Sequence, residues 1–295
     1  MAWPDTFKVY DYTFFSGKPS PAPGQTATVY DRIARGLIPG TEPLQAESRV
    51  WRANSNVPTS YSKENCQNWA ETLDDDIPVV IDTEAVLGSY SADEIDNTNR
   101  IVQDIKAVNR RLRVGCYNAL PRKTGAWNWA VYGEAGEQAL YSSYEARNVA
   151  LRTKPRPDVN RLSLLVDFIV ADCYLELPGE WGLGLNTAFR PAWPKYIQRF
   201  VGTHVAMAKT FGKPVYAAAF FDIHGGGSDG DLWGVRLPDN CIDVYLASLF
   251  SCADGMMIWG GSQFTPPATQ NGDPSSVTVA WSTQSSWSDR LAVYL

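Results

Sequence analysis

Seven short β-rich runs, interleaved with helix-forming stretches, constrain this chain more than any other feature of its sequence. The runs are FKVYDY (7–12), SRVWR (48–52), IPVVIDTEAV (77–86), LRVGCYNAL (112–120), LVDFIVADCYL (165–175), KPVYAAAFFDI (213–223) and DGMMIWGG (254–261). Amphipathic segments lie between most of them. SADEIDNTNRIVQDIKAVNRRL opens with Ser91 and Glu94 in capping-box spacing, then sets Ile95, Ile101, Val102, Ile105, Val108 and Leu112 at helical intervals. WPKYIQRFVGTHVAMAKTFG places Ile197, Phe200, Val201, Val205 and Ala208 on one face, with His204 packed beside it. CIDVYLASLFSC and SSWSDRLAVYL are shorter helical candidates.

Strands that alternate with helices at intervals of roughly 30 to 50 residues predict a parallel sheet. No GxGxxG joins the first strand to its helix, which argues against a dinucleotide-binding fold. A closed (β/α) barrel of seven or eight strands fits better. No stretch reads as an interdomain linker, so residues 1–295 are expected to form one domain. The Gly/Pro/Ser-rich stretches 178–194, 224–240 and 260–276 all follow strands, and in a barrel such loops build the active-site face.

The strand IPVVIDTEAV ends in two carboxylates, Asp82 and Glu84. Side chains alternate along a strand, so Val80, Asp82 and Glu84 share a face, with i, i+2 neighbours roughly 6–7 Å apart. At the C-terminal end of a barrel strand that face looks into the mouth. Two carboxylates held close together push one pKa upward, and a raised pKa suits a general acid near neutral pH. Other strand ends bring Tyr117, Asp172, Tyr174, Glu176, Asp222 and Trp259, and the loops carry Trp127, Trp129, Tyr132 and Trp181. The chain has 11 Trp and 14 Tyr. Flat aromatic faces beside convergent carboxylates are what a sugar-binding cleft requires, because sugar C–H faces stack on rings and hydroxyls need fixed polar partners.

Retaining glycosidases of the ordinary kind use two carboxyl groups about 5–5.5 Å apart, usually from different strands. The last strand here ends in Trp259, not Glu. A D-x-E spacing on one strand suits substrate-assisted cleavage instead, in which the sugar's own 2-acetamido oxygen attacks the anomeric carbon. One acid then protonates the leaving oxygen, and its neighbour orients the acetamido group.

The ordered series VVIDTEAV, RVGCYNALPR, VDFIVADCYLEL, KPVYAAAFF and DGMMIWGGS resembles the strands of the hyaluronidase family of glycoside hydrolases over about residues 77–262. That family carries a D-x-E motif on an early strand of an irregular barrel. The resemblance implies that Glu84 is the general acid/base and that Asp82 orients the acetamido group. It also implies that Tyr117 and Tyr174 line the subsite before the scissile bond, over Trp259 as floor. Asp172 has no counterpart there and is assigned as a hydrogen-bond partner for the sugar or for Glu84. Thr83 stands between the acids where that family carries a bulky aromatic.

The net charge of −6 argues against nucleic acid and makes a polyanion such as hyaluronan a poor match, so that a neutral N-acetylated glycan of the chitin or peptidoglycan type is at least as good a candidate. Cys66, Cys116, Cys173, Cys241 and Cys252 are scattered and read as buried free thiols, not as a zinc or disulfide framework. Asp229 and Asp231, near His224, lack the pattern of a calcium loop, and no metal or cofactor is expected. MAWPDTFKVYDY shows no basic and apolar regions of a signal peptide, and no apolar run is long enough to span a membrane. The expected setting is therefore cytoplasmic, released or virion-associated; oligomeric state is not legible. Two other readings stay open. One is a barrel that binds glycans through Trp127, Trp129, Trp181 and Trp259 without cleaving them. The other is a structural subunit whose strand-end acids bond loop backbone.

Overall fold

The computed structural model describes residues 7–13, 42–43, 45–47, 63–81, 92–117, 162–175, 193–221, 237, 239–260 and 290–293. Eight strands form one sheet: β1 (Lys8–Thr13), β2 (Glu42–Pro43), β3 (Gln45–Glu47), β4 (Val79–Ile81), β5 (Val114–Tyr117), β6 (Phe168–Asp172), β7 (Val215–Ala219) and β8 (Gly255–Gly260). Their order is β2-β1-β8-β7-β6-β5-β4-β3, and every pairing is parallel. From β4 to β8 the chain therefore advances one strand at a time, and each parallel step needs a crossover. Helix α2 (Ala92–Val108) connects β4 to β5, α3 (Trp193–Lys209) connects β6 to β7, and α4 (Asp239–Cys252) connects β7 to β8. Helix α1 (Lys63–Ala70) precedes β4 and packs on α2. This is the expected alternation of parallel strands and helices.

Helices α2 and α3 form where their apolar residues recur on one side. Ile101, Val102 and Ile105 of α2 are fully buried. So are Val201, His204, Val205 and Ala208 of α3, with His204 stacked on Phe200 at 5.8 Å between ring centroids. Gly212 adopts φ 72° and donates its N–H to the Lys209 carbonyl (3.0 Å), which ends α3 with a left-handed cap that favours glycine. The C-terminal segment touches down through Leu291, which is buried, and through Arg290, which pairs with Asp239 (2.7 Å) and Asp243 of α4. No helix among the described residues is long and apolar enough to cross a membrane.

The sheet is buried on both faces, the arrangement typical of parallel sheets and the reason its strands read as apolar runs. Val79, Ile81, Val114, Cys116, Ile169, Ala171, Val215, Ala217, Met256 and Ile258 pack with the helices. Tyr10, Val80, Tyr117, Phe168, Val170, Ala218 and Met257 form a second cluster on the other face, which is helix-free among the described residues. At the N-terminal end of that face two glycines make room for rings. A Cβ on Gly115 would lie 2.0 Å from the Phe168 ring, and one on Gly255 would lie 2.4 Å from the Tyr216 ring. Phe168 and Tyr216 meet at 5.0 Å between centroids, and Tyr10 adds an edge contact to Tyr216 at 5.5 Å. The four strands β5 to β8 thus share one aromatic floor.

The same end carries two copies of one clamp. Asp167 donates its N–H to the Val114 carbonyl (2.8 Å), while its Oδ2 accepts the Val114 N–H (2.8 Å) and Lys106 Nζ at the end of α2 (2.6 Å). Asp254 does nearly the same: its N–H donates to Val215 O (2.9 Å), its Oδ2 accepts the Val215 N–H (2.8 Å) and its Oδ1 accepts Lys209 Nζ at the end of α3 (3.0 Å). Each aspartate ties the start of one strand to the start of its neighbour and to the helix that arrives there.

Two segments take structure that their own residues do not announce. The run SRVWR (48–52) lies outside the described residues, whereas Glu42–Pro43 and Gln45–Glu47, just before it, are strands. Pro and Glu are poor strand formers, so pairing with β1 and β4 decides this segment, not propensity. Helix α1, KENCQNWA, is too polar to show an apolar stripe; of the residues whose side chains are described, only Cys66 and Ala70 are fully buried.

Candidate functional site

Because all strands run the same way, their C-terminal ends gather at one end of the sheet. There the helix-free face changes from apolar to mixed. Asp172 is the last residue of β6 and is only 3% exposed. Its Oδ1 accepts the Tyr174 N–H at 3.0 Å, a local turn that leads the chain off the strand. The Tyr174 ring lies between Tyr117 (6.0 Å between centroids) and Phe220 (5.8 Å). These three rings, from the ends of β5, β6 and β7, form a wall with Asp172 beneath it. Both tyrosines keep some exposure, at 8% each. One register row runs beneath the wall through Asp172, Ala218, Met257 and Tyr10. On the backbone, Trp259 of β8 is paired with Tyr12 of β1, one step nearer the strand ends than Met257 and Tyr10.

A second layer supports this end. Tyr245 of α4 is fully buried and meets Phe221 edge-on at 5.9 Å. Its hydroxyl donates to the carbonyl of Cys173 at 2.6 Å, between Asp172 and Tyr174 in the chain, and the Phe220 N–H lies on its other side, where it favours the ionised form. Burial pushes the Tyr245 hydroxyl well above the ordinary tyrosine range. The neighbouring Cys173 and Asp172 push it further, and only the Phe220 N–H opposes them. The group therefore stays protonated and keeps its role as donor.

Tyr117, Asp172 and Tyr174, named from sequence, thus meet in one place. Asp82, Glu84, Trp127, Trp129, Trp181 and Asp222 lie outside the described residues, as do Glu176 and the Asp229/Asp231 loop. Trp259 is placed by its backbone alone. Phe220 and Tyr245 were missed. Phe220 sits in the apolar run AAFFDI, where alternation sends Phe220 to the wall and Phe221 to the helix layer. Nothing in CIDVYLASLFSC marks Tyr245 apart from its neighbours. Among the described residues no group of three His, Cys, Asp or Glu side chains is placed to hold a metal ion. None of the five cysteines is in a disulfide; four are buried and Cys252 is half-buried.

No family model matches the chain, and no curated protein sequence is similar to it. Solved structures do share features with it. Bee venom hyaluronidase is 14% identical with a TM-score of 0.49, over 86% of this chain and 91% of that one. A GH18 chitinase from Pseudoalteromonas aurantia is 12% identical with a TM-score of 0.39, over 98% and 92%. Active domain 2 of the thermostable chitinase from Pyrococcus furiosus, in complex with chito-oligosaccharides, is 8% identical with a TM-score of 0.41, over 98% and 87%. Likeness at this level assigns neither activity nor substrate to the chain.

Proposed function

We propose that the strand-end face is a saccharide site and that the chain is a glycoside hydrolase acting on a glycan that contains N-acetylhexosamine. The observation that carries this reading is the wall of Tyr117, Tyr174 and Phe220 over the buried carboxylate of Asp172, gathered at the C-terminal ends of parallel strands. Rings offer sugar C–H faces a surface, and the carboxylate can accept from a hydroxyl or an acetamido N–H.

The sheet's own pairing supports a closed barrel. β2 pairs with β1 and β3 pairs with β4, yet residue 44 alone separates β2 from β3. Read as one strand, they join the two ends of the sheet into a ring of seven strands, in a single domain over residues 1–295. In that ring the register of β4 against β5, which sets Ile81 opposite Cys116, would carry on to set Asp82 opposite Tyr117. Strand alternation continued past Ile81 is the ground on which the proposal groups Asp82 and Glu84 with Val80, and Trp259 with Met257. Trp127, Trp129, Trp181 and Asp222, which follow these strands in the sequence, are assigned to saccharide binding in this proposal.

In the mechanism this arrangement suits, Glu84 gives its proton to the glycosidic oxygen as the bond to the anomeric carbon breaks. The acetamido oxygen of the same sugar forms the new bond to that carbon, and Asp82 accepts the acetamido N–H. Water then opens the cyclic intermediate and gives its proton to Glu84, which restores the acid. The scheme calls on no metal or cofactor.

The test is a hydrolysis and binding screen of wild type and Glu84→Gln on chitotetraose, muropeptides and hyaluronan tetrasaccharide. Glu84→Gln should lower kcat by about two to four powers of ten and leave binding nearly unchanged, as expected when a general acid is removed. Asp82→Asn should lose most of the rate, and should lose it on N-acetylated glycans in particular. Equal rates for Glu84→Gln and wild type would end the catalytic assignment. Binding without cleavage by wild type would leave a glycan-binding barrel.

A further inference from the structure

We propose that Tyr245 is a positioning residue for the strand-end site, acting as a hydroxyl spliced into the β6–β7 ladder at the point where the two strands part. The inference rests on the saccharide reading of that face. Along the pair, Asp172 is in register with Ala218, and the Cys173 N–H donates to the Ala218 carbonyl at 3.1 Å. In a continuing parallel ladder the next bond would run from the Phe220 N–H to the Cys173 carbonyl. Instead, the Cys173 carbonyl accepts from Tyr245 Oη at 2.6 Å, and the Phe220 N–H is turned to the same oxygen. The hydroxyl thus takes the amide's place at this carbonyl of the ladder and stands beside the Phe220 N–H where the strands part.

The residues on either side of this splice are those of the wall. Asp172 and Tyr174 flank Cys173, and Phe220 carries the other backbone group. The spacing of Tyr174 and Phe220, 5.8 Å between centroids, is therefore set from the helix layer behind the sheet. Tyr245 is held there in turn, fully buried and packed edge-on against Phe221. Without its hydroxyl, the Phe220 N–H and the Cys173 carbonyl can close on each other. The strands zip by one further bond and the two rings move together.

Tyr245→Phe tests this, since it removes one oxygen and keeps the ring in place. The readouts are steady-state kinetics on whichever of chitotetraose, muropeptide or hyaluronan tetrasaccharide wild type cleaves, and amide exchange at Phe220. We expect KM to rise by about tenfold with kcat within about twofold, the size of effect set by one displaced set of hydrogen-bonding and stacking contacts. Exchange at the Phe220 amide should change while the amides of β4 and β8 keep their protection. A purely structural role would lower the folded fraction, which reduces apparent kcat and leaves KM alone; that result overturns the proposal. Tyr174→Ala separates the two layers of inference. If it weakens saccharide binding while Tyr245→Phe keeps the wild-type KM, Tyr245 is not a positioning residue. If neither Tyr174→Ala nor wild type shows any dependence on saccharide, the site reading fails and takes this inference with it.

Discussion

Removing the Asp254 carboxylate should unfasten the start of β7 in a way that a graded series of substitutions can resolve. The group makes two kinds of bond. One is to the Val215 N–H, 2.8 Å away, at the beginning of a buried strand. The other is to Lys209 Nζ, 3.0 Å away, between side chains that are 41% and 43% exposed. A backbone N–H held by a charged acceptor contributes about 1.5–3 kcal/mol, whereas an ion pair this exposed contributes about 0–1 kcal/mol. Asp254→Ala loses both and leaves the Val215 N–H without its carboxylate, so it should cost about 2–3 kcal/mol. Asp254→Asn retains an oxygen for Val215 and loses only the charge, for about 1 kcal/mol. Lys209→Met should cost less than about 1 kcal/mol. Chemical denaturation of the full chain reads these values as midpoint shifts at an unchanged slope. Equal losses for Ala and Asn would show that the backbone bond is not the main contribution. A loss for Asp254→Ala below about 0.5 kcal/mol would refute the clamp altogether.

The aromatic floor and the thiols yield further expectations. Gly115→Ala should destabilise by about 1–3 kcal/mol, since its Cβ would lie 2.0 Å from the buried Phe168 ring, and Phe168→Leu in the same chain should recover part of that loss in a double-mutant cycle. Gly255→Ala should not be rescued by Tyr216→Leu, because its Cβ also meets the Lys8 carbonyl at 2.7 Å, and backbone cannot be trimmed. Burial pushes the thiols of Cys66 and Cys116 up from 9.0 to about 12 each. The folded state thus favours their neutral forms. Their contribution is complete below pH 9 and is lost as pH rises toward 12, so stability should fall across that window and fall less in Cys116→Ala. Denaturation midpoints measured through the alkaline range check this, and a flat profile would contradict it.

What was legible in the sequence is what short-range pattern encodes. The runs at 79–81, 114–117, 168–172, 215–219 and 255–260 are strands because both their faces are buried, which leaves uninterrupted apolar stretches. Helices α2, α3 and α4 show themselves because their buried residues recur at helical spacing. Segment 42–47 hides because its strand character comes from partners on either side, β1 and β4, and not from its own residues. In the site, Tyr117, Asp172 and Tyr174 stood out as polar groups at the ends of apolar runs. Tyr245 could not stand out, since its partner is a main-chain carbonyl 72 residues earlier, and a carbonyl has no sequence signature. The two clamps escaped for a related reason. Asp167 and Asp254 each stand one residue before a strand, where an isolated aspartate reads as an ordinary turn residue.

The floor made by Gly115, Phe168, Tyr216 and Gly255 has a consequence for traffic. Those rings fill the helix-free face at its N-terminal end, with Phe168 only 3% exposed. On the proposed saccharide reading, a glycan at the opposite end has these rings at its back. It would then come and go on the side of the strand ends, and a long chain would settle there sideways, as a rod lies across the rim of a cup.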